Sequence, residues 1–165
     1  MTHLQTVYRD LITAITERLH IPPLLLFLLL FLIAVVCIAV AIDNAPKKKV
    51  KRLIKEARET EFETFVHEKN AEDFSGIYIL TNKTKRNKTY VGQSIHVRER
   101  LSQHYHGRGN PGVYYDHTYR HNRFTVKTIP LKNSGFRTLN ALERNAIRVC
   151  RGYSKGYNQT RGNKG

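Results

Sequence analysis

Two tyrosines, an arginine, a histidine, a glutamate and an asparagine, spread between residues 76 and 158, have the types and spacing to form one site. Tyr78 and Tyr90 lie in the short apolar runs "GIYIL" and "TYVGQ", each close to a glycine, with four Lys or Arg in the polar loop between them. Alternation on both sides of that loop predicts a hairpin. The glycines let another backbone or a phosphate come close, so the hairpin offers two phenols at one place. Paired aromatics on neighbouring strands are more often packing than chemistry, and the tyrosines alone carry little weight. The next stretch, "SIHVRERLSQHYH", has helical spacing with Ser94 as a candidate N-cap, and it sets Arg100 and His104 four residues apart on one face. Glu143 falls on a later predicted helix and Asn158 in "GYN".

The surroundings are strongly basic. The chain carries a net charge of +15, and from Phe74 onward 18 Lys and Arg face only three acids, Glu99, Asp116 and Glu143. A solvated face ordinarily mixes signs, so this imbalance points to a polyanion such as nucleic acid or an anionic membrane surface; a merely soluble basic domain is the plainer alternative. Glu56 to Asp73, by contrast, holds seven acids. Cys37 and Cys150 lack the company of a disulfide framework or zinc site and are expected to be reduced thiols.

Taken together, "GIY" at 76–78, "YVG" at 90–92, "RLSQH" at 100–104, "ERNAI" from Glu143 and the asparagine of "GYN" resemble the GIY-YIG endonuclease family over residues 75–159, with Val91 in place of an isoleucine. The resemblance implies a small α/β domain with a three-stranded, mainly antiparallel sheet flanked by helices. It implies a DNA phosphodiester hydrolase with Tyr78, Tyr90, Arg100, His104, Glu143 and Asn158 as its catalytic set. Glu143 would bind Mg²⁺ or another divalent cation such as Mn²⁺, for which one carboxylate and several waters suffice. Arg100 would clamp the scissile phosphate, Tyr78 would position or deprotonate water, Tyr90 and His104 would orient groups or relay the proton, and Asn158 would hold the geometry. A phenol titrates near pH 10, so Tyr78 acts as a base only if neighbouring cations lower its pKa. Some members carry a further histidine after this helix; neither His106 nor His117 is at that place, and neither is assigned. Arg98, Arg108, Arg120, Arg123 and Arg148 are candidates for nonspecific phosphate contacts. No small-molecule cofactor is expected.

Residues 1–20 place Leu4, Val7, Tyr8, Leu11, Ile12, Ile15 and Leu19 on an amphipathic helical stripe, suited to a membrane surface or a partner. Residues 21–42 contain no charge and are long enough to span a bilayer, with Pro22 and Pro23 in the first turn. A cleaved leader is the competing reading, since "AVA" at 39–41 resembles a cleavage site, but such apolar cores run to roughly 7–15 residues. Six Lys or Arg between Lys47 and Lys55 then predict a cytoplasmic C-terminal domain by the positive-inside rule; the same run also resembles a nuclear-import signal, a match of low specificity. Residues 43–73 are expected to be a basic juxtamembrane stretch and helical linker, and residues 74–165 the nuclease domain. A hairpin, two helices, a third strand in "RFTVKTIPL" and a helix in "RTLNALERNAIRVCRG" complete it, with Gly152 just past the helix end. Few residues on either side are available for a base-reading module, so cleavage with low sequence specificity is expected. A noncatalytic nucleic-acid-binding module tethered to a membrane is the alternative.

Overall fold

A computed structural model describes residues 3–19, 22–68 and 71–163; Ile21, the expected start of the apolar span, lies outside them. The elements run α1 His3–Leu19, α2 Pro23–Glu56, β1 Glu59–Glu61, α3 Phe62–His67, β2 Gly76–Asn82, β3 Lys88–Ser94, α4 Val97–Tyr105, α5 Pro111–Thr118, β4 Phe124–Pro130 and α6 Leu139–Cys150. The chain divides into two compact units, one up to Ala45 and the other Pro46–Gly165. Pro46, which cannot donate a backbone hydrogen bond, falls inside α2 at that division. In the first unit the apolar residues of α1 and α2 are largely exposed, among them Leu4, Leu11, Phe27 and Phe31. By length and composition α2 could cross a membrane.

The second unit is built on a four-stranded antiparallel sheet of order β1-β4-β2-β3, one strand more than expected. The period of two along each strand sorts its side chains onto two faces. Tyr78, Leu80, Phe124 and Val126 turn to one face and pack with Phe62, Val97, Leu101 and Val113 from α3, α4 and α5. Ile77, Ile79, Val91 and Ile129 turn to the other and pack with Leu142, Ala146 and Ile147 of α6 and with Val50.

The expected linker is therefore part of the fold. Val50 is fully buried, Leu53, Ile54 and Ala57 pack beside it, and Phe62 is buried on the opposite face. The extra strand is "ETE", Glu59–Glu61, paired with β4. Its lack of apolar alternation hides it in the sequence, because what it contributes is charge. Glu59 pairs with Lys83 at 2.5 Å and Lys127 at 3.9 Å, and Glu61 with Arg123. Farther on, Glu68 holds Arg98 at 2.6 Å. The acid-rich segment complements the basic unit that follows it.

Asp73 extends the same logic to α4. Its carboxylate accepts from the backbone N–H groups of Arg98 and Glu99 at 2.8 and 3.2 Å, so the helix is capped from a distant segment. Burial opposes ionisation of Asp73, but these bonds and that of the Phe74 N–H outweigh it and lower its pKa. Ser94, the expected cap, instead accepts from the His96 N–H in a local turn. At α6 the Thr138 hydroxyl caps the start, and Arg151, in the left-handed conformation (φ 55°), ends it. Gly152 follows because a Cβ there would collide with the Asn158 side chain.

Candidate active site

Tyr78 sits in the central strand β2 and Tyr90 in the edge strand β3. The register pairs Tyr78 with Gly92 and Leu80 with Tyr90, which makes the two tyrosines diagonal neighbours on one face, ring centroids 6.2 Å apart. A Cβ at position 92 would overlap the Tyr78 ring and hydroxyl, so Gly92 provides the space in which that phenol lies. The glycine of the second tripeptide thus serves the tyrosine of the first.

Helix α4 covers this face and inserts His104. Its Nε2 lies 3.0 Å from the Tyr78 hydroxyl oxygen, and its ring is 5.5 and 5.1 Å from those of Tyr78 and Tyr90. On the other side of the imidazole, the backbone N–H of Asn110 donates to Nδ1 at 3.1 Å. An Nδ1 that accepts carries no proton, so the neutral ring bears its proton on Nε2 and donates it to the Tyr78 oxygen. Gly109 leaves room for the ring. Burial, and then the charge of Arg100, push the His104 pKa down to about 4, keeping it neutral at physiological pH.

Arg100, one turn before His104, is the cation that acts on all three rings. Its Nη1 donates to Gln103 Oε1 at 2.7 Å and to the Arg108 carbonyl at 3.5 Å. The expectation that cations lower the Tyr78 pKa is reversed in the free protein. Burial raises it well above the ordinary phenol range, the neighbouring Tyr90 adds to this, and Arg100 offsets only part. Tyr90 is raised too, first by burial.

Glu143 reaches the site from α6. It shares a shallow pocket of about 210 Å³ with Tyr90, Asn110, Asn158, Thr160 and Asn163. The carboxylate is buried, no Lys or Arg pairs with it among the described residues, and burial raises its pKa although the Asn163 N–H opposes that. No group of three or more His, Cys, Asp or Glu suited to a metal occurs among the described residues. The pocket nonetheless fits a hard cation, since a carboxylate with no Lys or Arg partner among the described residues shares it with polar side chains and with space for water. Asn158 completes the wall. Its Oδ1 accepts from the Val91 N–H at 2.9 Å and its Nδ2 donates to the Val91 carbonyl at 2.7 Å, while the Tyr157 N–H donates to the Thr89 carbonyl at 2.8 Å. The segment after α6 is thereby zipped onto the open edge of β3.

The structure brings Tyr78, Tyr90 and His104 into one cluster under the influence of Arg100, and Glu143 and Asn158 into the pocket that Tyr90 borders. The five outlying arginines do not gather there. Arg98 is held by Glu68 and lies over Phe65, Arg120 pairs with Asp116 at 3.5 Å and lies over Tyr115, and Arg123 pairs with Glu61. Arg108 and Arg148 are exposed. Of the unassigned histidines, His106 bonds the Ser102 carbonyl at 2.8 Å and His117 packs against Phe62, Tyr105 and Phe124.

Asn110 escaped the sequence reading. Its side chain caps α5 by accepting from the Gly112 and Val113 N–H groups, its Nδ2 donates to the Tyr157 carbonyl at 3.1 Å, and its backbone fixes His104. The signal was present in "NPG", an N-cap followed by proline, but nothing in it pointed to the histidine. Behind it lies a buried network in which the Tyr157 hydroxyl donates to Asp116 at 2.7 Å and accepts from Asn82 at 2.7 Å. Lys85 reaches the same carboxylate at 3.2 Å.

No curated protein and no solved structure matches the chain. The family described as the GIY-YIG catalytic domain does match, over residues 74–158. That match opens at Phe74, whereas the compact unit opens at Pro46. It is a family of nucleases, which implies a nucleic-acid substrate and generally a divalent metal. With the match spanning half of its length, the chain belongs to the GIY-YIG family.

Proposed function

We propose that the chain is a membrane-anchored, metal-dependent endonuclease that hydrolyses DNA phosphodiester bonds with little regard to sequence. The observation that carries this reading is the buried Tyr78–His104 pair beside Arg100, next to a pocket whose carboxylate, Glu143, has no cationic partner among the described residues. Glu143 would hold a divalent cation such as Mg²⁺, which when bound would supply charge neutralisation at the scissile phosphate and the leaving oxygen. Arg100 supplies planar donors to the phosphate. Tyr78 enters as a neutral phenol that orients the attacking water. The His104 Nε2–H holds its oxygen from one side, and because burial raises the phenol pKa, positioning the water, not deprotonating it, is the role that fits Tyr78 here. Tyr90 borders the pocket, where it would orient the phosphate, and Asn158 keeps β3 in place.

DNA is the partner that a basic unit of this kind attracts, and Arg108 and Arg148 lie at the surface, where phosphates approach. Contacts to phosphates position a duplex without reading bases, hence the low specificity. The apolar part of α2 supports a single span, and the lysines after it support a cytoplasmic nuclease unit.

The full chain in detergent, incubated with supercoiled plasmid, should nick it at dispersed positions in Mg²⁺ and leave it intact in EDTA. Glu143→Gln should lower the rate by about 100-fold or more, the scale of losing one strong electrostatic stabiliser, with plasmid affinity unchanged. Cleavage by this variant at the wild-type rate would overturn the assignment of Glu143; binding without cleavage by the wild type would leave a noncatalytic module.

A further inference from the structure

Three grooves of the nuclease unit are linked in series by shared lining residues. The pocket containing Glu143 shares Ile147 with a groove of about 320 Å³, lined also by Arg148, Arg151, Tyr153, Ser154 and Arg161. That groove shares Arg151 with a third, of about 490 Å³, between the β2–β3 loop and the end of α6, where Lys85, Arg86, Lys88 and Lys155 converge. Among the described residues, no Asp or Glu lines the second or third groove. In the middle stands Tyr153, 47% exposed, with the Arg161 guanidinium 5.4 Å from its ring centroid. The cations of the second and third grooves share concave surfaces with, among the described residues, no acid in the lining, and Lys85 also bonds Asp116 outside it. An aromatic ring half-open to solvent inside a carboxylate-free basic groove has the chemistry of a surface that follows a phosphate backbone and stacks a base.

We propose that this series of grooves is a single-strand track. A strand leaving the Glu143 pocket lays its phosphates along Arg151, Arg161, Lys88 and Lys155 and stacks one unpaired base on Tyr153. The preferred substrate is then DNA with unpaired nucleotides beside the scissile bond, because the face of a base is open to a side chain only where the base is not stacked in a duplex. An anionic bilayer would meet the same cations, but the shared lining with the Glu143 pocket makes the track continuous with the place where a strand is cut. The inference rests on the nuclease reading of that pocket, and its test separates the two.

The test uses the full chain in detergent, in EDTA so that nothing is cut, with fluorescence anisotropy of a labelled oligo(dT) of about 20 nucleotides and of a blunt duplex of the same length. Tyr153→Ala should weaken oligo(dT) binding by about 5- to 100-fold and leave duplex binding within about twofold, whereas Tyr153→Phe should keep both. Arg151→Gln should reduce the slope of log affinity against log salt for oligo(dT) by about 0.7. Retained duplex binding shows that the variants are folded. Equal losses on both ligands, no loss on either, or a dependence on Tyr153 only for vesicles containing phosphatidylserine would overturn the track. In Mg²⁺, a duplex with a single-stranded overhang should be cut faster than the blunt duplex, and Tyr153→Ala should narrow the difference. If the wild type cuts neither while the oligo(dT) result holds, the nuclease reading fails and the track stands; if it cuts both and Tyr153→Ala changes nothing, the reverse is true.

Discussion

His104 has two ring nitrogens, and each has a fixed neighbour, the Tyr78 hydroxyl on one side and the Asn110 N–H on the other. Protonating the ring would turn Nδ1 into a donor aimed at another donor, inside a pocket where Arg100 already opposes positive charge. The consequence is a stability effect with a definite sign. The folded pKa, about 4, lies below the ordinary 6.5, so between these values the unfolded chain binds the extra proton and the folded one does not. Stability is complete above pH 6.5, falls as pH drops towards 4, and levels off below that for this group. The loss is on the order of 3 kcal/mol. Urea unfolding of the full chain at several pH values should show this decline, and His104→Gln should flatten it while lowering stability at neutral pH. An unchanged acid slope in the variant would place the sensitive group elsewhere. Tyr78 and Gly92 show how residue types in the motif are set by one another, since the phenol fills the space a side chain at 92 would need.

At the scale of elements, the nuclease unit depends on pieces that precede the family match. Val50 and Phe62 close opposite faces of the sheet, β1 covers the outer edge of β4, and Asp73 caps α4, which carries Arg100 and His104. A fragment of residues 74–165 loses all four. Removing one large buried aromatic costs roughly 3–5 kcal/mol, against a domain stability of about 5–15 kcal/mol, so this fragment should not fold. A fragment of residues 46–165 should, with a cooperative thermal transition by circular dichroism; a cooperative transition in the shorter one would show these contacts to be dispensable. The hairpin, β4 and α6 were legible in the sequence because their apolar residues follow periods of two and 3.6. So was the order of the motif residues that identify the family. Glu59–Glu61 and Asp73 were not, because their contributions are ion pairs and a cap to partners roughly 25 to 70 residues away, which no local pattern announces. For the same reason the sequence does not show that Glu68 and Glu61 pair with Arg98 and Arg123, two of the candidates for phosphate contacts, nor does it single out Tyr153, whose meaning comes from the groove around it.

For the whole molecule, the charge pattern carries two messages at two distances. Within the nuclease unit, acids from one segment pair with cations of another, Glu59 with Lys83 and Glu61 with Arg123, while the grooves beside α6 are lined by Lys and Arg with, among the described residues, no Asp or Glu in their lining. Along the chain, six Lys or Arg follow the apolar span between Lys47 and Lys55, whereas Arg9 and Arg18 before it are offset by Asp10 and Glu17. These basic residues are not equivalent. Lys49 donates to the Gly135 carbonyl at 3.0 Å and lies 5.6 Å from the centre of the Phe136 ring, and Arg52 pairs with Glu56. Val50, between them, is in the core, so the run is helical and partly built into the fold, which argues against its serving as an extended import signal. Lys48 and Lys51 are exposed and are the residues to test for orientation without disturbing the unit. With the chain in sealed inner-membrane vesicles of known sidedness, protease added on the cytoplasmic side should digest the nuclease unit, and protease on the opposite side should reach only the segment before the span. Lys48→Gln with Lys51→Gln should increase the fraction of inverted molecules, because each positive charge near the end of a span holds that end on the cytoplasmic side. If the native unit is instead cut only from the noncytoplasmic face, the basic flank does not set the topology and the leader reading of the apolar segment takes its place.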